Sequence, residues 1–138
     1  MAKVTPLRPK VGDTEKITIN LGYVDLGQID LMVQEGFYSN RTDFIRTAIR
    51  NQIGTHATVV QQTITRKTME LGLRHYTRQD LEALQQAGEM LSVQVVGLAT
   101  IATDVSPELA LATIEKITVL GVLQASPAVK AALADRIV

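Results

Sequence analysis

Three side chains near the start of the sequence, Lys16, Thr18 and Asn20, stand at every second position and alternate with Ile17, Ile19 and Leu21. Period-two alternation is the pattern of a strand with two unlike faces, so a strand is expected over 16–21, closed by Gly22. Its polar face offers an amine, a hydroxyl and an amide, which is recognition chemistry and not bond-breaking chemistry. A second chemical feature lies downstream. Asn40 is a strong helix N-cap and Asp43 stands at N3, so the backbone N–H groups around Asn40, Arg41 and Thr42 open a helix and form an anion site. Arg46 and Arg50 follow four residues apart on one face of that helix.

These groups need elements to hold them. An isolated strand is not stable, and the sequence after Leu21 turns helical without offering a second strand. The simplest partner for 16–21 is therefore the same strand of a second copy. Val24 to Glu35 carries Leu26, Ile29, Met32 and Val33 at helical spacing, and Gly36 stands where a helix C′ glycine belongs. The second helix carries Phe44, Ile45, Ala48, Ile49 and Ile53, with Gly54 as its expected stop. Residues 1–15, with Pro6, Pro9 and Gly12, read as a flexible basic arm. It is either a solvated tail or a source of extra contacts through Lys3, Arg8 and Lys10.

The order KITINL, then LGQIDLMV, then GFYSNRTDFIRTAIR over residues 16–53 resembles the ribbon-helix-helix (Arc/MetJ/CopG-type) DNA-binding proteins. The resemblance covers about 38 of 138 residues. Gly22 departs from it, because the family usually has proline there. The resemblance implies an intertwined homodimer whose two strands pair antiparallel and enter the major groove of double-stranded DNA. Lys16 then donates to guanine O6 and N7, Asn20 pairs with adenine N6 and N7, and Thr18 meets a base edge or a thymine methyl. It also implies that Asn40, Arg41 and Thr42 clamp phosphate, which fixes register. Arg46 is a further candidate for DNA contact; for Arg46 and Arg50 alike the competing role is a solvated face or ion pairs between subunits, with acids such as Glu35.

Residues 54–68 read as a linker or a helix extension. From 69 to 138 the sequence repeats a short apolar strand followed by a helix start. Gly72, Gly97 and Gly121 recur at spacings of 25 and 24, followed by Thr77 with Asp80, Ser106-Pro107 and Ser126-Pro127. The expectation is a βα-repeat domain, a small parallel sheet or solenoid-like stack, only loosely similar to leucine-rich repeats because their asparagine ladder is absent. The alternative is a compact α/β sandwich like the regulatory domain of nickel-responsive members of the family. His56 and His75 are too few and too separated for such a metal site, and there is no cysteine. This half is assigned to assembly into tetramers or higher oligomers. Sensing is the second assignment, and the C-terminal strand ends would then place a ligand near Tyr76, Thr103, Asp104 and Ser126.

Composition sets the outer bounds. Lys and Arg total 14 and Asp and Glu total 14, so no general basic field announces nucleic acid, and a few placed cations must suffice. There is no apolar run of membrane-spanning length and no signal peptide, which points to a cytoplasmic, nucleoid-associated protein without a membrane partner. P-loop, nucleotide-binding glycine, H-E-x-x-H and G-x-S-x-G patterns are absent, so no enzyme, cofactor or metal is expected. The expected class is α/β overall: a ribbon-helix-helix module plus a βα-repeat domain. The expected function is a sequence-specific transcriptional regulator, most simply a repressor. An antitoxin and an architectural or plasmid-partition protein are the alternatives.

Overall fold

The computed structural model describes residues 14–138, and from residue 15 on these form two compact units, residues 15–63 and residues 64–138. Lys3, Arg8 and Lys10 lie outside the described residues.

In the first unit, residues 15–22 carry no regular secondary structure. The expected strand over 16–21 is thus not formed within one chain. The reason is physical: a strand is defined by its ladder, and a single chain supplies no second strand here to bond with. Helix α1 (Tyr23–Gln34) begins at Gly22, which takes an extended conformation but gives no side-chain cap. It ends on Gly36, whose φ of +87° lets the Gly36 N–H reach Val33 O (3.1 Å) and the Phe37 N–H reach Met32 O (2.9 Å). That pair of bonds is a Schellman stop, satisfying carbonyls that would otherwise be orphaned. Helix α2 (Arg41–Thr55) starts on Asn40 and runs one residue past Gly54. Gly54 does not take a positive φ, so nothing there redirects the backbone. After His56 the chain resumes as α3 (Ala57–Lys67), so residues 57–67 are helical.

The second unit begins within α3 and is built on three strands, β1 (Glu70–Tyr76), β2 (Leu91–Ile101) and β3 (Ile114–Gln124). They form one parallel sheet in the order β1-β2-β3. Helices α4 (Arg78–Ala87), α5 (Pro107–Thr113) and α6 (Pro127–Ala132) follow the strands in turn, and a 3-10 turn (Ala134–Arg136) closes the chain. Each helix starts as its sequence requires. Thr77 and Asp80 form a reciprocal capping box, while Ser106 and Ser126 accept from Leu109 N and Val129 N ahead of proline at the first helical position. Burying Val93, Val95, Ala99, Ile101 and Ile117 against Leu81, Leu109, Ala110 and Val129 gives this unit its core. Such burial is the main stabilising term, at roughly 1.5–3 kcal/mol per large aliphatic side chain.

The three recurring glycines meet in register, Gly72 beside Gly97 and Gly97 beside Gly121, with φ of +131°, +138° and +118°. A Cβ on Gly97 would stand 2.2 Å from the Gly72 carbonyl oxygen, and one on Gly121 would stand 2.1 Å from that of Gly97. The glycine row is therefore a line of close backbone approach across the sheet, which explains why the sequence places glycine inside otherwise apolar strands.

Candidate nucleic-acid interface

Lys16, Thr18 and Asn20 are all exposed, and so are the apolar residues between them: Ile17 is 72% exposed and Ile19 59%. The polar face is thus available to a ligand, but the apolar face is uncovered as well. Beside it lies an apolar groove of about 380 Å³, shaped by Ile19, Leu21, Ile29, Met32, Phe44 and Ile49 among others. Of residues 15–63 only Ile29 is buried. Exposed aliphatic side chains flanking an apolar groove mark a surface that belongs against another surface.

The second part of the site is the start of α2. Asn40 Oδ1 accepts from Asp43 N at 2.8 Å, and Asp43 Oδ2 in turn accepts from Ser39 N at 2.9 Å. This reciprocal pair fixes the helix start, leaving Asn40 and Thr42 exposed on the solvent side. Tyr38 and Phe44 pack edge to face with ring centroids 5.0 Å apart, bracing the turn that leads into the helix.

Arg41 is not simply presented to solvent. Its Nε and one terminal nitrogen fork onto the two carboxylate oxygens of Asp30 on α1, both at 2.8 Å. The guanidinium holds the Asp30 carboxyl below the ordinary aspartate range, and the Asp30 carboxylate raises Arg41 in return. Bidentate pairing of this kind sets orientation as well as charge, so Asp30 ties the start of α2 to α1. Asp30 is the residue of this candidate site that the sequence alone does not reveal. Its partner is eleven residues away across a turn, and no local pattern announces a pair at that spacing. Arg46 and Arg50 are exposed farther along α2.

The other candidates fall apart from this site. His56 breaks the backbone between α2 and α3 and contacts Gln52 at 3.3 Å, whereas His75 is an exposed residue of β1. Among the described residues no group of three or more His, Cys, Asp or Glu is placed to hold a metal ion. Of the strand-end residues considered for a ligand, Tyr76 is buried, Ser126 is engaged in capping α6, and Asp104 lies 3.8 Å from Arg78. Thr103 is exposed. Among the described residues no helix is long and apolar enough to cross a membrane.

A family model described as the ribbon-helix-helix transcriptional regulator family matches residues 12–130. The match extends well beyond the first unit and takes in the three-stranded sheet. No curated protein and no solved structure matches the chain.

Proposed function

This chain belongs to the ribbon-helix-helix transcriptional regulator family, and from that premise we propose that it is a sequence-specific DNA-binding repressor acting as an intertwined dimer in the cytoplasm, on the nucleoid. The observation that carries the reading is the alternation over residues 16–21, with both of its faces uncovered next to an apolar groove. Pairing two copies of this segment antiparallel buries Ile17, Ile19 and Leu21 over the grooves of both chains. It leaves Lys16, Thr18 and Asn20 of each copy on a ribbon that fits the major groove. Folding of the strand and dimerisation are then one event.

The start of α2 around Asn40, Arg41 and Thr42 holds phosphate on either side of the ribbon, Arg41 while still paired with Asp30, and Arg46 adds charge along the same helix. Residues 64–138 assemble dimers into tetramers or larger complexes, which raises avidity for neighbouring sites without new base contacts. An antitoxin reading is less well supported, because this half has a buried core of its own and antitoxins bind through tails that fold on their toxin.

Selection of bound sites from a random duplex pool, followed by titration with variants, tests the reading. Lys16→Ala combined with Asn20→Ala is expected to weaken the selected site about 100-fold and to flatten sequence preference, since each lost base contact is worth ~1–3 kcal/mol. Thr42→Ala is expected to weaken all sequences alike. Wild-type affinity and preference in the double variant would exclude readout by the ribbon.

A further inference from the structure

The sheet of the second unit is covered on one side only. Val93, Val95, Ala99 and Ile101 turn toward the helices. The alternate residues form two straight rows across the opposite face, Leu71–Val96–Leu120 and Leu73–Leu98–Val122, one on each side of the glycine row. Leu71, Leu73 and Leu120 are 64%, 69% and 59% exposed, and Val96, Leu98 and Val122 are half-buried. Parallel sheets are normally buried on both faces, because their crossover helices cover both. The rows contain no charge. Gln94 and Thr118 border them on one side, and His75, Thr100 and Gln124 on the other.

We infer that this bare face packs against the same face of a second copy, forming a two-layered sandwich of sheets with the helices outside. A two-fold arrangement suits it, since an uncharged apolar centre with a polar margin complements itself, whereas a charged centre would place like charges opposite one another. Edge-to-edge pairing is disfavoured. The outer edge of β3 is partly taken by the chain's own end, where Val138 N donates to Ile117 O (2.8 Å), and exposed Glu70 and Arg74 stand on the edge strand β1.

Size identifies which copy. Two rows of three residues span roughly 14 Å by 14 Å at sheet spacing, on the order of 200 Å². A stable association of free proteins takes about 800 Å² per partner. The face is therefore too small to recruit a free partner, and it suits a copy already held nearby, whose pairing is effectively intramolecular. The inference rests on the proposed ribbon dimer for that tether: the two sheets that pair are those of one dimer, and the assembly of dimers into larger complexes proposed above falls to other surfaces of residues 64–138.

The absence of cysteine allows a direct test in the full chain. Leu98→Cys lies in the middle of the face, Val122→Cys provides a second position on the same row, and Gln86→Cys on α4 is the control. Treatment of dilute pure protein with a short bifunctional thiol reagent is expected to couple two chains through Leu98→Cys or Val122→Cys. The control is expected to give at least tenfold less. Adding Leu73→Glu and Leu120→Glu is expected to cut coupling at least tenfold while duplex DNA is still retarded. Failure of both face cysteines to couple, in protein that still retards DNA, overturns the inference and leaves the ribbon reading standing. Efficient coupling in protein that does not bind any duplex overturns the ribbon reading and leaves the face pairing standing. Coupling that persists undiminished at high dilution in an Ile19→Asp chain overturns the tether, and with it the assignment to one dimer.

Discussion

The two units differ in what they can finish alone. Residues 64–138 bury a continuous cluster from Tyr76 to Leu133, with capped helices and a paired sheet. Residues 15–63 bury only Ile29, leave Ile17, Ile19, Ile49 and Ile53 exposed, and give the N-terminal segment no ladder. The second unit is somewhat the more apolar of the two, but both carry enough apolar residues for a core. What separates them is where the complementary surface lies. In the second unit it follows within the same chain as the next strand and helix. In the first, on the proposed dimer, it is a second copy of the same segment.

That contrast can be broken most sharply at Ile19. Ile19→Asp places a charge on the face that dimerisation would bury. It is expected to reduce DNA binding at least 100-fold and to shift the protein toward monomer, while the unfolding transition of the β/α unit stays in place. A fully dimeric Ile19→Asp protein, seen by light scattering, would show that the first unit does not depend on a partner. Next comes the glycine row. Gly97→Ala forces a Cβ onto the Gly72 carbonyl at a positive φ, and a loss of about 3 kcal/mol or more is expected in urea unfolding. Gly72→Ala at the edge strand meets nothing within 4 Å, so only its backbone strain remains, about 1–2 kcal/mol. Equal losses at the two positions would mean that close approach between strands is not what the row is for.

A smaller effect of opposite sign is expected at Thr68. Helix α3 ends with the bonding pattern seen after Gly36, Thr68 N to Thr65 O and Met69 N to Ile64 O, yet the left-handed position (φ +55°) holds a β-branched residue. Thr68→Gly is expected to stabilise the protein by ~1 kcal/mol, read from its denaturation midpoint; a lower midpoint would refute the strain. The smallest effect concerns Asp30. Because its folded-state pKa is depressed by Arg41, its contribution is present above the ordinary aspartate range and is lost as pH falls through the lowered value. Both partners are exposed, so the change is slight. Asp30→Asn should be less stable than wild type near neutrality and equal to it in strong acid. A difference that survives acidification would trace to packing and not to the ion pair.

Local rules carried the sequence reading where local physics decides. Gly36, Asn40 with Asp43, Thr77 with Asp80, and the two Ser-Pro pairs all mark helix ends as expected, because caps satisfy orphaned backbone groups within a few residues. Gly54 lies one residue inside the end of α2: its φ is not positive, so it does not supply the left-handed stop that Gly36 does. Asp30 was invisible because its meaning depends on a fork formed across a turn. The strand over 16–21 was legible as a pattern but is not a strand in one chain, because alternation states which faces exist and not what covers them.

By itself, then, the sequence determined the local grammar: which residues alternate, where helices start, and that glycine recurs near every 25 positions. Only the tertiary structure decided that those glycines lie side by side with carbonyls too close for a Cβ, that Arg41 is already engaged by Asp30, and that one face of the sheet carries two apolar rows with Leu71, Leu73 and Leu120 exposed. The division follows from range. Caps and periodicities are fixed by interactions over three or four residues, whereas register, exposure and pairing depend on groups brought together from distant parts of the chain.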